Sequence, residues 1–174
     1  MKQIPFWRVA ADILALYEAD QKMRSHALSH DGFWEESVDF RSSSYIAQLV
    51  VYLGWPRRSQ IGTRALHALG LLVRHADHNA RLQRHCLELM MDIDRTDPGE
   101  VDRRDMAHLV DRICVNCGRS QIYGTQHTEV GDQYVPHPIL DERHVNSRRK
   151  QMGLPTLQEG IARMYRKYGP PQIR

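Results

Sequence analysis

Asp111-Arg112-Ile113-Cys114-Val115-Asn116-Cys117-Gly118-Arg119-Ser120-Gln121-Ile122-Tyr123-Gly124-Thr125-Gln126 is the stretch on which the fold assignment turns. It begins with the spacing of an amphipathic helix and is stopped by Gly118, a residue suited to a helix C-terminus. It leaves as a segment dense in amides, a phenol and a hydroxyl. Before it, the long segments carry helical periodicity, except for a polar run at residues 29–42. After it, the spacing turns to that of a short hairpin. The chain therefore reads as mainly α: a single domain of residues 1–174 with about seven helices and one small β-hairpin.

Working upstream, residues 102–116 read as the fifth helix, with Met106, Leu109, Val110, Ile113 and Cys117 on its inner stripe. Asp111 falls off that stripe, which predicts either a solvated charge or a side chain projecting beside the following strand. Asn79 is a good N-cap for a fourth helix from Ala80, carrying Leu82, Cys86, Leu89 and Met90. Ser59 can cap a third helix running to Ala76. The sequence His75-Ala76-Asp77-His78 then falls at the junction between the third and fourth helices. Ser42–Ser44 can cap a second helix, which Gly54-Trp55-Pro56 stops. Residues 29–42, with His30, Asp31 and Gly32, read as a loop or lid. Residues 5–28 form the first helix, near whose end Asp20 and Arg24 stand four apart as an exposed ion pair.

Working downstream, residues 120–127 and 133–139 read as two strands around Gly131-Asp132. Pro136 and Pro138 make the second an edge strand. A C-terminal helical pair is expected over roughly 142–168, its second helix capped by Thr156.

Composition narrows the function classes. Of 174 residues, 41% are hydrophobic and 26% charged, as in an ordinary globular protein large enough to bury a core. The net charge of +3 comes from arginines interspersed with acids, so nucleic acid is disfavoured as a partner. No apolar run approaches the roughly 18 residues of a membrane span. The first residues lack a signal peptide's pattern, so the cytoplasm is the expected location. Oligomeric state is not encoded in any pattern of this sequence.

Three groups of residues carry candidate chemistry. His75 and His78, three apart with Asp77 between them, could act as acid–base groups or contact a substrate. They could also share a metal, although no third ligand is assigned and the HExxH pattern is absent. Otherwise a histidine here simply caps a helix C-terminus. Asp111 and Arg112 offer an acid and an anion-binding guanidinium. On a strand, Gln121, Tyr123 and Thr125 would share one polar side, suited to a polar ligand or to solvent. Cys114 and Cys117 form a CxxC late in a helix with no partner motif, and read as buried thiols.

Taken in order, Asp20-Gln21 with Arg24, Gly54-Trp55-Pro56, His75-Ala76-Asp77, Gln83 with Cys86-Leu87, Asp111-Arg112, Gln121-Ile122-Tyr123-Gly124-Thr125-Gln126 and Arg148-Arg149…Gly153-Leu154-Pro155 resemble a bacterial family filed as a domain of unknown function. The resemblance covers roughly residues 15–160. It implies no activity, but His75, Asp77, Asp111, Arg112, Gln121, Tyr123 and Gln126 match the family's polar motif positions. Cys114 and Cys117 match none.

The expectation is an enzyme acting on a small polar or anionic molecule by histidine-assisted acid–base chemistry, in bacterial specialised metabolism. It would be a hydrolase, lyase or isomerase needing no cofactor, with a metal at His75 and His78 as the variant reading. His75, Asp77, Asp111 and Tyr123 would be catalytic, with Asp77 or Asp111 orienting His75. Gln21, Arg24, His78, Arg112, Gln121 and Gln126 would bind substrate. The alternative is a non-catalytic module that binds a peptide or protein along the hairpin edge.

Overall fold

The computed structural model describes residues 4–29 and 35–171. Among these, seven α-helices and one two-stranded antiparallel sheet follow the order α1 (Phe6–Ser29), α2 (Glu36–Leu53), α3 (Arg58–His75), α4 (Ala80–Thr96), α5 (Arg103–Asn116), β1 (His127–Val130), β2 (Gln133–Pro136), α6 (Val145–Gln151) and α7 (Leu157–Tyr168). The fold is mainly α with one small hairpin. No described helix is long and apolar enough to cross a membrane. The chain folds into two compact units, Met1–Asp105 and Met106–Arg174.

The first unit is a helical cluster centred on α3. Ala65, Leu66, Ala68, Leu69, Leu72 and Val73 are all buried there, because they recur at three- and four-residue steps along one face. α1 packs against α3 and buries Val9 and Ile13, while α2 and α4 add Ile46, Leu49, Val50, Leu82, Cys86 and Met90 to the buried set. At the head of α3, Arg57 N–H donates to the Gln60 side chain, and Ser59 donates to Glu100 from both its N–H and its hydroxyl. Ser59 is thus the second residue of the helix rather than its cap. Asn79 does cap α4, accepting from Leu82 N–H at 3.0 Å.

One segment of this unit departs from the sequence expectation. α2 begins at Glu36, so residues 36–42 are helix rather than loop. Val38 and Ser42 are buried and continue backwards the spacing of Ile46 and Leu49; the period is present but carried by too few apolar residues to stand out. His30, Asp31 and Gly32 lie outside the described residues.

The second unit holds most of α5, the hairpin, α6 and α7. α5 ends in a Schellman motif: Arg119 N–H donates to Cys114 O, Gly118 N–H donates to Val115 O, and Gly118 has φ +66°. Residues 121–126 form no strand, contrary to the 120–127 expectation. The hairpin is shorter and shifted: His127 pairs with Pro136 and Val130 with Gln133, around the expected Gly131-Asp132 turn. Gln121 makes only an isolated bridge to Ile139. Thr156 and Glu159 form a capping box at the start of α7, and α7 lies against β2.

Candidate functional site

The first unit gathers a polar cluster where α1, α2 and the α3–α4 junction meet. Its centre is Asp20, a fully buried carboxylate. His75, the last residue of α3, donates Nδ1–H to both Asp20 oxygens, at 2.8 and 3.0 Å. Gln21 Nε2 donates to Asp20 at 2.8 Å and Arg24 Nε at 2.9 Å. Burial raises the carboxyl's pKa, but the His75 hydrogen bond and charge, with Gln21 and Arg24, hold it below its ordinary value. An ionised carboxylate can only accept, so it selects the Nδ1–H tautomer of a neutral imidazole. The lone pair is then on Nε2. The His75 side chain keeps 22% of its surface exposed, so the ring is reachable while its orienter is not.

The cluster continues into α2. Arg24 also donates to Asp39 at 3.0 Å, and Ser43 stands one turn beyond Asp39 on the same face. Ser43 Oγ lies 2.9 Å from His78 Nε2 and 3.1 Å from the Phe40 carbonyl. A hydroxyl that donates its one hydrogen to Phe40 is left to accept from His78 Nε2–H. The His78 ring packs on Phe40 with centroids 4.5 Å apart. Asp77 accepts from Gln83 Nε2 at 3.3 Å, and that amide also donates to the Val73 and Arg74 carbonyls at the end of α3.

This geometry redistributes the expected roles. Asp20 is the acid bonded to His75 Nδ1, while Asp77 accepts from Gln83. The Asp20–Arg24 pair is buried on its acidic side rather than exposed. Arg24 and Gln21 both hold Asp20. The signal for Asp20 is its position seven residues after Ile13 and eleven after Val9, which places an acid on the buried stripe of α1. Asp39 is hidden in the segment expected to be a loop, and Ser43 in the run expected to cap the second helix, whereas both lie within α2.

Asp111 and Gln121 lie in the second unit and do a different job. Asp111 is fully buried, not solvated. Its carboxylate accepts from Ile122 N–H (2.7 Å), Tyr123 N–H (2.9 Å) and Thr125 N–H (2.8 Å). Gln121 donates to the Gln126 and His137 carbonyls and accepts from Gln126 N–H. From the other side, buried Arg149 donates to the carbonyls of Tyr123, Gly124 and Pro155, while Arg148 donates to those of Ile122, Leu140 and Asp141. Residues 121–126 are therefore a loop whose backbone polar groups are satisfied by four side chains, which explains a non-strand run of amides. The loop bonds involve the Tyr123 backbone only, and burial and the Asp111 charge raise its phenol's pKa. Gln126 donates to Thr125 Oγ1 and accepts from Arg112 at 3.3 Å.

The hairpin edge is partly occupied. Tyr134 N–H on β2 donates to the Tyr165 hydroxyl of α7 at 3.2 Å, and the two rings meet edge to face. Among the described residues, the one group of ligating atoms close enough to surround an ion is His67, Asp102 and Asp105. Each acid there already carries an arginine, Arg104 on Asp102 and Arg74 on Asp105. Asp102 also accepts from Arg104 N–H at the start of α5, and the Asp105 bond raises the pKa of His67. These charges make an ion-pair network at a helix start.

A protein-family model described as a family of unknown function, DUF6624, matches residues 8–171. No curated protein and no solved structure matches the chain.

Proposed function

The chain belongs to that family of unknown function, and from its own geometry we propose that it is an enzyme acting on a small polar molecule, with His75 as the general acid–base group. The observation that carries this reading is the Asp20–His75 pair. A buried carboxylate fixes Nδ1 and leaves Nε2 of a partly exposed ring to exchange a proton. A base held by a third group in this way is the recurring arrangement for proton transfer. Gln21 and Arg24 keep Asp20 ionised and fixed, and the Arg24–Asp39 pair ties α1 to α2 beside it.

Because Arg24 lies between two carboxylates, its charge is compensated, so the reading favours a polar substrate over a strongly anionic one. Ser43 and His78 offer a second proton-bearing pair in the same cluster. Hydrolysis, elimination and isomerisation all need a proton taken and returned, as a single imidazole can do. The strand-addition alternative is weakened at β2 by the Tyr134–Tyr165 bond and the packing of α7.

The test is to incubate the purified chain with a fractionated small-molecule extract and follow every component by mass spectrometry. Consumption of a component at a rate proportional to protein concentration, with a product of matching composition, is expected. Stoichiometric depletion without product would mean binding alone and would overturn the enzyme reading.

A further inference from the structure

Cys114 and Cys117 are not the buried thiols that the sequence suggests. Cys117 is exposed and Cys114 half-buried, and both are free. Only Cys86 is buried among the described cysteines; loss of solvation pushes its thiol up to about 12. We propose that Cys114 and Cys117 form a reversible dithiol–disulfide site that exchanges with low-molecular-weight thiol–disulfide couples.

The local backbone brings the two residues together. Cys117 N–H donates to both the Ile113 and Cys114 carbonyls at 3.1 Å, so residues 114–117 form one closed helical turn. Helix geometry separates residues three apart by about 5 Å between Cα atoms, inside the roughly 4.4–6.8 Å span of disulfides, while their Cβ atoms stand about 5–6 Å apart and must close by about 1–2 Å for the bond to form. Cys117 is the last residue before Gly118, whose left-handed conformation ends the helix. Cys117 is exposed and lies just past Asn116, the last residue of α5, so that closure falls on the chain leaving the helix rather than on its interior.

Access and charge divide the labour. Exposed Cys117 meets the small disulfide first. Its thiolate attacks one sulfur, forms a mixed disulfide and expels one small thiolate, which takes up a proton. Cys114, held up in pKa by burial and by the charge of Asp111, is the resolving thiol. It attacks the Cys117 sulfur, and the second small thiol leaves with the other proton. One S–S bond of the couple is reduced, one S–S bond forms in the protein, and two thiols are released.

The experiment uses the full chain in buffers of graded reduced and oxidised glutathione, followed by denaturing alkylation, trypsin digestion and mass spectrometry. Cleavage at Arg112 and Arg119 puts both cysteines on peptide 113–119, while Cys86 falls on a separate peptide. Under oxidising buffers, peptide 113–119 should lose both alkyl groups and two hydrogens, while Cys86 stays alkylated. The transition should follow the squared concentration of reduced glutathione divided by the concentration of oxidised glutathione, as an internal disulfide requires. The Cys114→Ser variant should instead accumulate glutathione on Cys117. Full alkylation of 113–119 at every ratio would overturn the proposal. So would glutathione on the wild-type peptide with no internal disulfide at any ratio.

Discussion

The Nδ1 of His75 lies 2.8 and 3.0 Å from the two oxygens of Asp20, a carboxylate with no solvent exposure contributed by a helix 55 residues earlier. A buried acid is costly unless its charge is matched. Here it is matched by an imidazole, an amide and a guanidinium, so the arrangement is both a structural clamp and an orienting group.

The first prediction concerns that clamp. Asp20→Asn should cost about 2–3 kcal/mol at neutral pH, because it removes the charge from bonds with His75 and Arg24. The pKa of Asp20 is lower folded than unfolded, so its contribution is present above the unfolded value of 3.8 and lost as pH falls through the folded value. Urea denaturation of both proteins should give a difference that is constant well above that unfolded value and shrinks below it. A difference independent of pH down to strongly acidic conditions would contradict the pairing.

The second concerns Asp111. Its three backbone acceptor bonds make it the anchor of residues 122–125. Asp111→Ala should cost about 3 kcal/mol and leave three amide hydrogens without their acceptor. Hydrogen exchange should accelerate at Ile122, Tyr123 and Thr125 far more than in α4. Unchanged protection at those three amides would refute the anchoring role.

The third compares two glycines. Gly124 has φ +69°, and a Cβ there would lie 2.8 Å from Ile139 Cδ1 and 2.9 Å from Leu157 Cδ1. Gly118 has a similar φ, +66°, but open space around it. Gly118→Ala should therefore cost only the backbone term, about 1 kcal/mol, and Gly124→Ala about 2 kcal/mol, because the Ile139 and Leu157 methyl ends must also turn aside. Thermal or urea unfolding of the pair measures the difference, and equal costs would show that Ile139 and Leu157 yield freely.

These residues also show what the sequence reveals and what it hides. The helices of the first unit are legible because their apolar spacings are long and regular, and Asn79, Thr156 and Gly54 mark boundaries that the structure keeps. The polar stretch 121–126 looks like a strand in the sequence because its amides serve backbone groups brought together with residues 111, 137 and 149, contacts with no local signature. His75 stands out by its residue type, but its partner does not. Asp20 can be assigned only by taking seriously an acid in register with Val9 and Ile13.

The fourth prediction addresses catalysis. His75→Asn keeps a side chain able to donate to Asp20 but cannot exchange a proton near neutral pH. The decisive measurement is kcat/KM for wild type, His75→Asn and Asp20→Asn on the component that the extract assay identifies, at a temperature where all three are folded by circular dichroism. His75→Asn should lose at least about 100-fold, and Asp20→Asn should lose less. Wild-type turnover by folded His75→Asn would contradict His75 as the acid–base group.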